Sequence, residues 1–444
     1  MKTLTILISK LLIVGLKILK RGSVLPGRIA IKLNKNIMKS FVLPKTVIAV
    51  TGSSGKGSTA SMLAQICKNL GYSYCFNDKG SNLEDAIATM LLDNCDLKGR
   101  INKDVLIYEI DERYTKYVFK NIVPNYVVIT NITRDQPPRQ GNFDLVYEEI
   151  YNALTPGMHL ILNADDPYIQ KFNLDNKFKV TYYTLDKNKY SYKTNKFTNL
   201  NIYYCPKCHS KLKYDYYHFE TYGGYSCSKC SIKNPDTDNH ITSINYDKKE
   251  MIVNNKYKIN LQHDILYCIY NTMAAFTVSK LLNFDLDKVS DILSNIAKNT
   301  KLYNNYEINN RKVYVLNNKN ENSTTFNQSL LYATRNKNSK IVVIGWKEIS
   351  RRYNYDDLSW LYDIDFELLN NKTVNKIICV GDNSYDIATR IKYAGIDEKL
   401  IYVFDNLETS MKEIKKGKDD ILAILNFDYV LPFNNLIKGD LKWK

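Results

Sequence analysis

Residues 46–59, TVIAVTGSSGKGST, decide the predicted fold. A short apolar run rich in β-branched residues ends at Gly52, and apolar residues then recur at helical spacing as far as a stop at Gly71. The stretch therefore predicts a strand, a glycine-containing loop and a helix. Because glycines let backbone N–H groups approach phosphate oxygens at a helix N-terminus, we expect a nucleotide phosphate site here. The alternative is a glycine turn with a structural role only.

The predicted loop offers backbone amides and side chains to a nucleoside triphosphate such as ATP. Its residues are Gly52, Ser53, Ser54, Gly55, Lys56, Gly57, Ser58 and Thr59. Lys56 would place a positive charge at the β- and γ-phosphates, and a hydroxyl that follows it would bind Mg²⁺. Gly57 stands where Ser or Thr usually follows the lysine, so either Ser58 or Thr59 is expected to hold the metal.

Strand-like and helix-like segments alternate along most of the chain. Strand-like runs occur at 105–110, 126–130, 159–162, 341–345, 376–380 and 421–425, and a helical pattern occurs at about 267–282. This alternation predicts an α/β fold with parallel sheets covered by helices. We expect three parts: a basic lead-in helix segment at 1–45, an ATPase-type domain at 46–297 and a Rossmann-like α/β domain at 298–444. The polar stretch near 298–325 is expected to be a linker or an irregular start of the last domain.

The net charge of +16 on 444 residues is concentrated near the N-terminus. Residues 1–45 contain ten Lys and Arg and no Asp or Glu, so the other 399 residues carry a surplus of only six. This distribution argues against a surface that coats nucleic acid and indicates a local basic segment. Its apolar run is interrupted by Lys10 and Lys17, so it does not predict a membrane span. Two interpretations remain: a helix packed on the main domain, or an amphipathic helix on an anionic membrane surface.

Four of the nine cysteines form two CxxC pairs separated by 18 residues. They are Cys205, Cys208, Cys227 and Cys230, inside a stretch at about 198–238 that interrupts the α/β alternation. This spacing is typical of a zinc ribbon, and four thiolates leave no open coordination position, so the expected zinc is structural. Buried cysteines without metal and a redox dithiol are the alternatives. The scattered remaining cysteines suit a reducing cytoplasm better than a disulfide scaffold.

The short phosphate loop resembles that of the Mur ligase superfamily, and its GKGS variant is the one that folylpolyglutamate synthases carry. Other stretches agree in order and spacing: YEIDE at 108–112, TNITRDQ at 130–136 and LNADDP at 162–167. The resemblance implies that ATP converts a carboxylate into an acyl phosphate, which an amine then attacks. It also implies that Glu109 binds a second Mg²⁺, that Asn271 contacts the nucleotide, and that Lys301 meets phosphate where the family has Arg.

A zinc ribbon within such a domain narrows the resemblance to the MurT family, the ATP-using subunits of lipid II isoglutaminyl synthases of Gram-positive bacteria. The resemblance extends over nearly the whole chain, including NDKGSN at 77–82, YNTMAA at 270–275 and DLSWLYDIDFE at 357–367. It implies amidation of the D-glutamate α-carboxylate in the lipid II stem peptide. The ammonia would come from a class I glutamine amidotransferase subunit that contacts the C-terminal domain, and Asp357 would complete the Cys–His machinery of that partner. An ordinary helix N-cap is the alternative role for Asp357.

Two further functions stay open. One is a free-standing ligase that adds an amino acid, which GKGS favours; the other is a zinc-ribbon ATPase that binds nucleic acid, against which the modest charge beyond residue 45 argues. The leading expectation is catalysis that depends on Lys56, Glu109 and Asp357, with ATP, Mg²⁺ and a structural Zn²⁺. The protein is then expected to be cytoplasmic, to form a heterodimer, to meet lipid II at the inner face of the membrane, and to have no nucleic-acid partner.

Overall fold

The structure is a computed structural model that describes most of the chain. The described residues are 2–19, 24–78, 81–134, 142–198, 204–261, 263–296, 303–316, 322–335, 337–346 and 358–439. They fall into two compact units. The first unit comprises Met1–Ile132, Phe143–Lys193 and Tyr203–Ile296, and the second comprises Thr133–Asn142, Thr194–Ile202 and Ala297–Lys444. The domain boundaries inferred from the sequence stay predictions.

The first unit is built on a large sheet with helices packed against it. Its helices are α1 (Lys2–Ile18), α2 (Leu25–Leu33), α3 (Lys56–Asn69), α4 (Glu84–Asn94), α5 (Thr115–Val118), α6 (Phe143–Tyr151), α7 (Leu266–Leu281) and α8 (Leu286–Asn295). Its strands are β1 (Thr46–Thr51), β2 (Tyr74–Phe76), β3 (Val105–Glu109), β4 (Tyr126–Ile129), β5 (His159–Asn163), β6 (Lys179–Leu185), β7 (Leu212–Phe219), β8 (Tyr222–Cys227), β9 (His240–Asn245), β10 (Glu250–Val253) and β11 (Tyr257–Asn260).

The sheet order is β11-β10-β9-β6-β5-β4-β1-β3-β2, and β7 and β8 form a separate antiparallel hairpin. All pairings from β2 across to β9 are parallel, whereas β9, β10 and β11 pair antiparallel. The predicted parallel sheet covered by helices is therefore confirmed. Residues 47–51 of β1 are all buried, which is why this central strand reads as a continuous apolar run instead of an alternating one.

Neighbouring parallel strands bring their carboxyl ends to one edge of this sheet. The register pairs Val50 of β1 with Glu109 of β3 and Thr51 with Ile129 of β4. The loops that follow β1, β3 and β4 therefore meet at the same edge, which is where ligands bind in open α/β sheets.

Helices α1 and α2 pack on α4 within the first unit. Helix α1 buries Ile6 and Ile13, and α2 approaches α4 closely at Gly27. A Cβ atom on Gly27 would lie 1.9 Å from the carbonyl oxygen of Asp85, and the Gly27 N–H donates to Thr89 Oγ1 at 2.9 Å. The LPG sequence thus allows close helix packing. Among the described helices, none combines the length and the apolar character needed to cross a bilayer.

The second unit is a Rossmann-like α/β structure. Its helices are α9 (Ser323–Arg335), α10 (Ser384–Tyr393), α11 (Leu407–Ile414) and α12 (Phe427–Gly439). Its strands are β12 (Tyr303–Ile308), β13 (Arg311–Leu316), β14 (Lys340–Gly345), β15 (Val374–Val380), β16 (Ile401–Phe404) and β17 (Asp420–Leu425). The sheet order is β12-β13-β17-β14-β15-β16, parallel except for the β12–β13 hairpin.

The prediction of a linker or irregular structure near 298–325 is wrong for residues 303–316. They form the β12–β13 hairpin at the edge of the sheet, and β13 pairs with β17. Val313 and Val315 alternate with polar residues and are buried in the core of this unit. The segment therefore has the two-residue period of a strand although it is rich in Asn.

Candidate phosphate-binding site and cysteine cluster

The loop between β1 and α3 has a backbone that requires glycine. Gly52 and Gly55 have φ angles of +120° and +83°, in the region that L-residues rarely adopt. A Cβ atom on Gly52 would lie 2.4 Å from Thr130 Oγ1 and 2.7 Å from the carbonyl oxygen of Asn131. The loop is thus shaped by the TNIT stretch that follows β4.

Asn131 holds the first half of this loop through backbone and side-chain hydrogen bonds. The Ser53 amide donates to the Asn131 carbonyl oxygen at 2.9 Å, and the Ser54 amide donates to Asn131 Oδ1 at 3.0 Å. Asn131 Nδ2 donates in return to the Ser54 carbonyl oxygen at 3.0 Å. The loop leads directly into α3, which begins at Lys56. The N–H groups of the first turn of this helix have no acceptor within the helix and carry partial positive charge, so they can bind an anion.

Lys56 is largely buried at the start of α3 and forms an ion pair that the sequence analysis missed. Its Nζ donates to Glu112 Oε2 at 2.9 Å, to the Ser53 carbonyl oxygen at 3.4 Å and to the Gly52 carbonyl oxygen. Burial lowers the pKa of Lys56, but the Glu112 and Glu109 carboxylates outweigh it and hold that pKa above its usual value. The available signal was the second glutamate of EIDE, because a lysine that becomes buried needs a counter-charge.

Glu109 ends β3 beside the first turn of α3. Its Oε1 accepts from Asn82 Nδ2 at 3.1 Å, and its backbone N–H and C=O are both bonded to the Asn77 side chain at 2.9 Å. A Cβ atom on Gly57 would lie 2.9 Å from Glu109 Oε2, so the carboxylate occupies the space that this glycine leaves. The NDKGSN stretch therefore orients the carboxylate predicted to bind a metal.

The hydroxyls of Ser58 and Thr59 differ in burial. Ser58 is half-buried, and its exposure favours it as the group that reaches a ligand. Thr59 is fully buried, and its Oγ1 has no hydrogen-bond partner among the described residues, so it is the alternative. The Ser58 hydroxyl follows Gly57 in the sequence and the Glu109 carboxylate lies against Gly57, and both supply oxygen ligands, the type that Mg²⁺ prefers. The residues present therefore fit the cation that accompanies a nucleoside triphosphate.

Asn271, on α7, lies against the phosphate loop. A Cβ atom on Gly55 would lie 2.4 Å from Asn271 Oδ1, and the Asn271 side chain is buried. Among the described residues its Nδ2 has no hydrogen-bond partner. A buried donor without a partner is costly, so this atom is a candidate for a ligand contact next to Gly55.

Two predicted site residues, Lys301 and Asp357, lie outside the described residues. The acidic residues that follow Asp357 in its motif are engaged within the second unit. Asp363 pairs with Arg134, and Asp365 accepts from both the backbone N–H and the hydroxyl of Thr198 at 2.6 Å. These carboxylates therefore have structural partners of their own.

The four cysteines of the two CxxC pairs form one cluster, with their sulfur atoms all within 4.8 Å of one another. The Cys205–Cys230 and Cys208–Cys227 sulfur pairs are 3.5 Å and 3.4 Å apart. A tetrahedral zinc with Zn–S bonds of about 2.3 Å needs S···S separations of about 3.8 Å, so the donor set fits Zn²⁺ closely. Leu212 and Tyr225 are buried in the same apolar cluster as Cys205 and Cys227.

The LNADDP turn anchors the cysteine hairpin to the main sheet. The Tyr225 hydroxyl donates to the Ala164 carbonyl oxygen at 3.1 Å, and the Gly223 N–H donates to the Asp165 carbonyl oxygen at 3.1 Å. The Asp165 carboxylate is fully buried and accepts from the Tyr270 hydroxyl at 2.8 Å. Burial raises the pKa of the neighbouring Asp166 to about 7. This motif therefore joins the hairpin, β5 and α7.

Comparison with known proteins shows related sequences and folds over most of the chain. Residues 50–279 match the family described as Mur ligase middle domain, and residues 320–429 match the one described as MurT ligase C-terminal. The chain is 26% identical over 419 residues to the lipid II isoglutaminyl synthase (glutamine-hydrolyzing) subunit MurT of Staphylococcus aureus strain COL, which covers 93% of this chain and 92% of that protein. The subunit of the same name from Streptococcus pneumoniae strain R6 is 28% identical over 429 residues, or 94% and 93% of the two chains.

A solved structure shares the fold at lower sequence identity. The pseudomurein peptide ligase type C from Methanothermus fervidus superposes with a TM-score of 0.65 at 20% identity, covering 92% of this chain and 81% of that one. The phosphate loop, the parallel sheet that supports it and the sequence matches on both units all indicate the same family. The chain therefore belongs to the Mur ligase family, with a C-terminal domain of the MurT type.

Proposed function

We propose that this protein is the ATP-using subunit of an enzyme that amidates a peptidoglycan precursor. The observation that carries the proposal is the similarity to MurT subunits, which spans more than nine-tenths of the chain and includes the MurT-type C-terminal domain. The substrate would be the α-carboxylate of D-glutamate in the lipid II stem peptide. The γ-phosphoryl group of ATP would pass to this carboxylate, giving an acyl phosphate and ADP, and ammonia would then displace phosphate to leave the amide.

The residues at the phosphate loop support the first step. The N–H groups at the start of α3 and the Lys56 ammonium would bind the β- and γ-phosphates, where negative charge must be stabilised during transfer. Ser58 and Glu109 would hold Mg²⁺, which supplies further neutralisation of the phosphate oxygens. The unpartnered Asn271 Nδ2 would donate to the nucleotide beside Gly55.

The second step requires a source of ammonia. The sequence shows no nucleophile-elbow cysteine with a matching histidine, so glutamine hydrolysis would take place on a separate class I glutamine amidotransferase subunit. We propose that this partner binds the C-terminal unit and that Asp357 orients the partner's catalytic histidine, as a carboxylate does in a catalytic triad. Lys301 would add positive charge near the phosphates.

Amidation of lipid II by the co-purified complex tests the proposal. Mass spectrometry of lipid II would report conversion of the acid to the amide with either glutamine or ammonium chloride as the nitrogen donor. We expect Lys56→Ala to abolish product with both donors, and Lys68→Ala, an exposed lysine at the end of the same helix, to leave activity unchanged. Asp357→Asn should remove activity with glutamine and retain it with ammonium. Addition of an amino acid in place of ammonia would instead support a free-standing ligase.

A further inference from the structure

Helix α1 exposes a continuous apolar stripe along its outer face. The stripe consists of Leu4, Leu7, Leu11, Val14 and Ile18, each between 44% and 76% exposed. Their spacing of three and four residues places them on one side of the helix. Soluble surfaces rarely align five large apolar side chains in this way, and such a patch indicates an interaction site.

The opposite face of the same helix is already occupied. Thr5, Ile6, Ser9 and Ile13 are buried where α1 packs on α2 and α4. Lys17 is further fixed to Asp93 of α4 at 2.7 Å. The stripe is therefore presented by a preformed helix attached along its length, and no ordering of the helix is needed on binding.

The basic residues of this segment indicate which partner the stripe binds. Lys10 and Lys17 are seven residues apart and follow one edge of the stripe, and Lys32, Lys35 and Lys39 are exposed on or just after α2. Every charged residue in 1–45 is basic. A second copy of α1 would bring lysines of the two helices together, and α1 itself contains no acidic residue to pair with them, although the apolar spacing would suit helix pairing.

The geometry points to a docking surface for an anionic lipid bilayer. The α1 stripe lies along the interface with its leucines among the upper acyl chains, and Lys10 and the exposed Lys32, Lys35 and Lys39 meet the negatively charged headgroups. Lys10 carries an aliphatic stem that covers apolar surface while its ammonium group stays in water, whereas the Lys17 ammonium is paired with Asp93. The unit holding the phosphate loop would then work at the membrane surface, and this docking is independent of the amidation proposal.

Vesicle flotation of the full-length protein tests this surface in the absence of nucleotide and lipid II. Probes are vesicles of phosphatidylcholine alone and of phosphatidylcholine with about one-third phosphatidylglycerol. We expect at least tenfold stronger partitioning onto the anionic vesicles, weakened by added salt. The double variant Leu7→Ser/Leu11→Ser should lose about tenfold or more, because two exposed apolar side chains no longer leave water on binding.

The matched control is Val123→Ser/Leu145→Ser, which removes two apolar side chains of similar exposure elsewhere in the first unit. It should bind vesicles like the parent, and circular dichroism should show that both variants are folded. Equal loss in the control, or no binding of the parent to anionic vesicles, overturns the inference. If light scattering shows a dimer for the parent and a monomer for Leu7→Ser/Leu11→Ser, and the parent does not bind vesicles, the stripe binds a second copy of the chain instead.

Discussion

Replacing Glu112 by Gln tests whether the charge beside Lys56 limits nucleotide binding. The Lys56 ammonium has three N–H groups and three acceptors: the carbonyl oxygens of Gly52 and Ser53 and the Glu112 carboxylate. A phosphate oxygen that enters the loop must displace or share one of these acceptors. Glu112 also places a negative charge close to where the triphosphate would carry its own.

The size of the effect follows from the geometry of this ion pair. At an N···O distance of 2.9 Å and an effective dielectric constant of about 20, its Coulomb energy is about 6 kcal/mol. Desolvation offsets much of this energy, since the Lys56 and Glu112 side chains are only 11% and 5% exposed. Glutamine retains a hydrogen bond, so we expect the nucleotide-free protein to lose about 1.5–3 kcal/mol of stability. A phosphate that replaces the lost charge would then bind about ten- to hundredfold more tightly.

Calorimetric titration with MgATP measures the affinity, and urea unfolding without nucleotide measures the stability. The matched control is Glu413→Gln, because Glu413 forms partly buried ion pairs with Lys376 and Lys416 in the second unit. We expect this control to lose stability with no change in ATP affinity. Unchanged or weaker ATP binding by folded Glu112→Gln would refute the reasoning, because Glu112 would then hold Lys56 in its binding position.

Three further substitutions have expected outcomes, the first of which depends on the predicted zinc site. Cys208→Ser should lower zinc below one equivalent in elemental analysis and weaken ATP binding in the same calorimetric assay, since a thiolate ligand is removed. Gly27→Ala should lower the free energy of unfolding in urea by about 1–3 kcal/mol, the reverse of the gain usual for this change in a helix, because the new methyl meets the Asp85 carbonyl. Asp166, with its pKa raised to about 7 by burial, stabilises the fold below about pH 4 and loses that contribution as the pH rises through about 7. Asp166→Asn should therefore raise the melting temperature at about pH 8 relative to the parent, with a smaller gain at about pH 5.

The fold was predictable where one period dominates a segment. The run at 46–51 is apolar on both faces because β1 is central, and the glycines that follow it identify the loop without any structure. The β12–β13 hairpin was missed because the four asparagines in 303–316 indicate a loop, although Val313 and Val315 alternate as strand residues do. The polar composition of this edge hairpin reflects its solvent-exposed side, whereas its packing against β17 determines that it forms strands.

The site was less predictable because it depends on which side chains the fold brings together. Sequence spacing placed Glu109 at a strand end, where the structure puts it beside Gly57. It did not reveal that Glu112 would turn back to Lys56, because that contact depends on the short helical turn at Glu112–Tyr114. The choice between Ser58 and Thr59 likewise depends on which face of α3 packs inward: Ser58 is the more exposed, and the buried Thr59 Oγ1 has no hydrogen-bond partner among the described residues.

The LNADDP turn connects two features that the sequence shows far apart, the cysteine cluster and the phosphate loop. Tyr222 of the hairpin packs edge-on against Tyr270 with ring centroids 5.7 Å apart, and the Tyr270 hydroxyl donates to the buried Asp165 carboxylate. The next residue along α7 is Asn271, whose side chain lies against Gly55. If the four cysteines hold zinc, as their spacing predicts, its loss would loosen the hairpin and its contact with Tyr270, and the position of Asn271 would change with it. This route is the physical reason to expect a structural zinc site to affect nucleotide affinity, and an unaltered ATP affinity in zinc-depleted, folded Cys208→Ser would show that the two sites are independent.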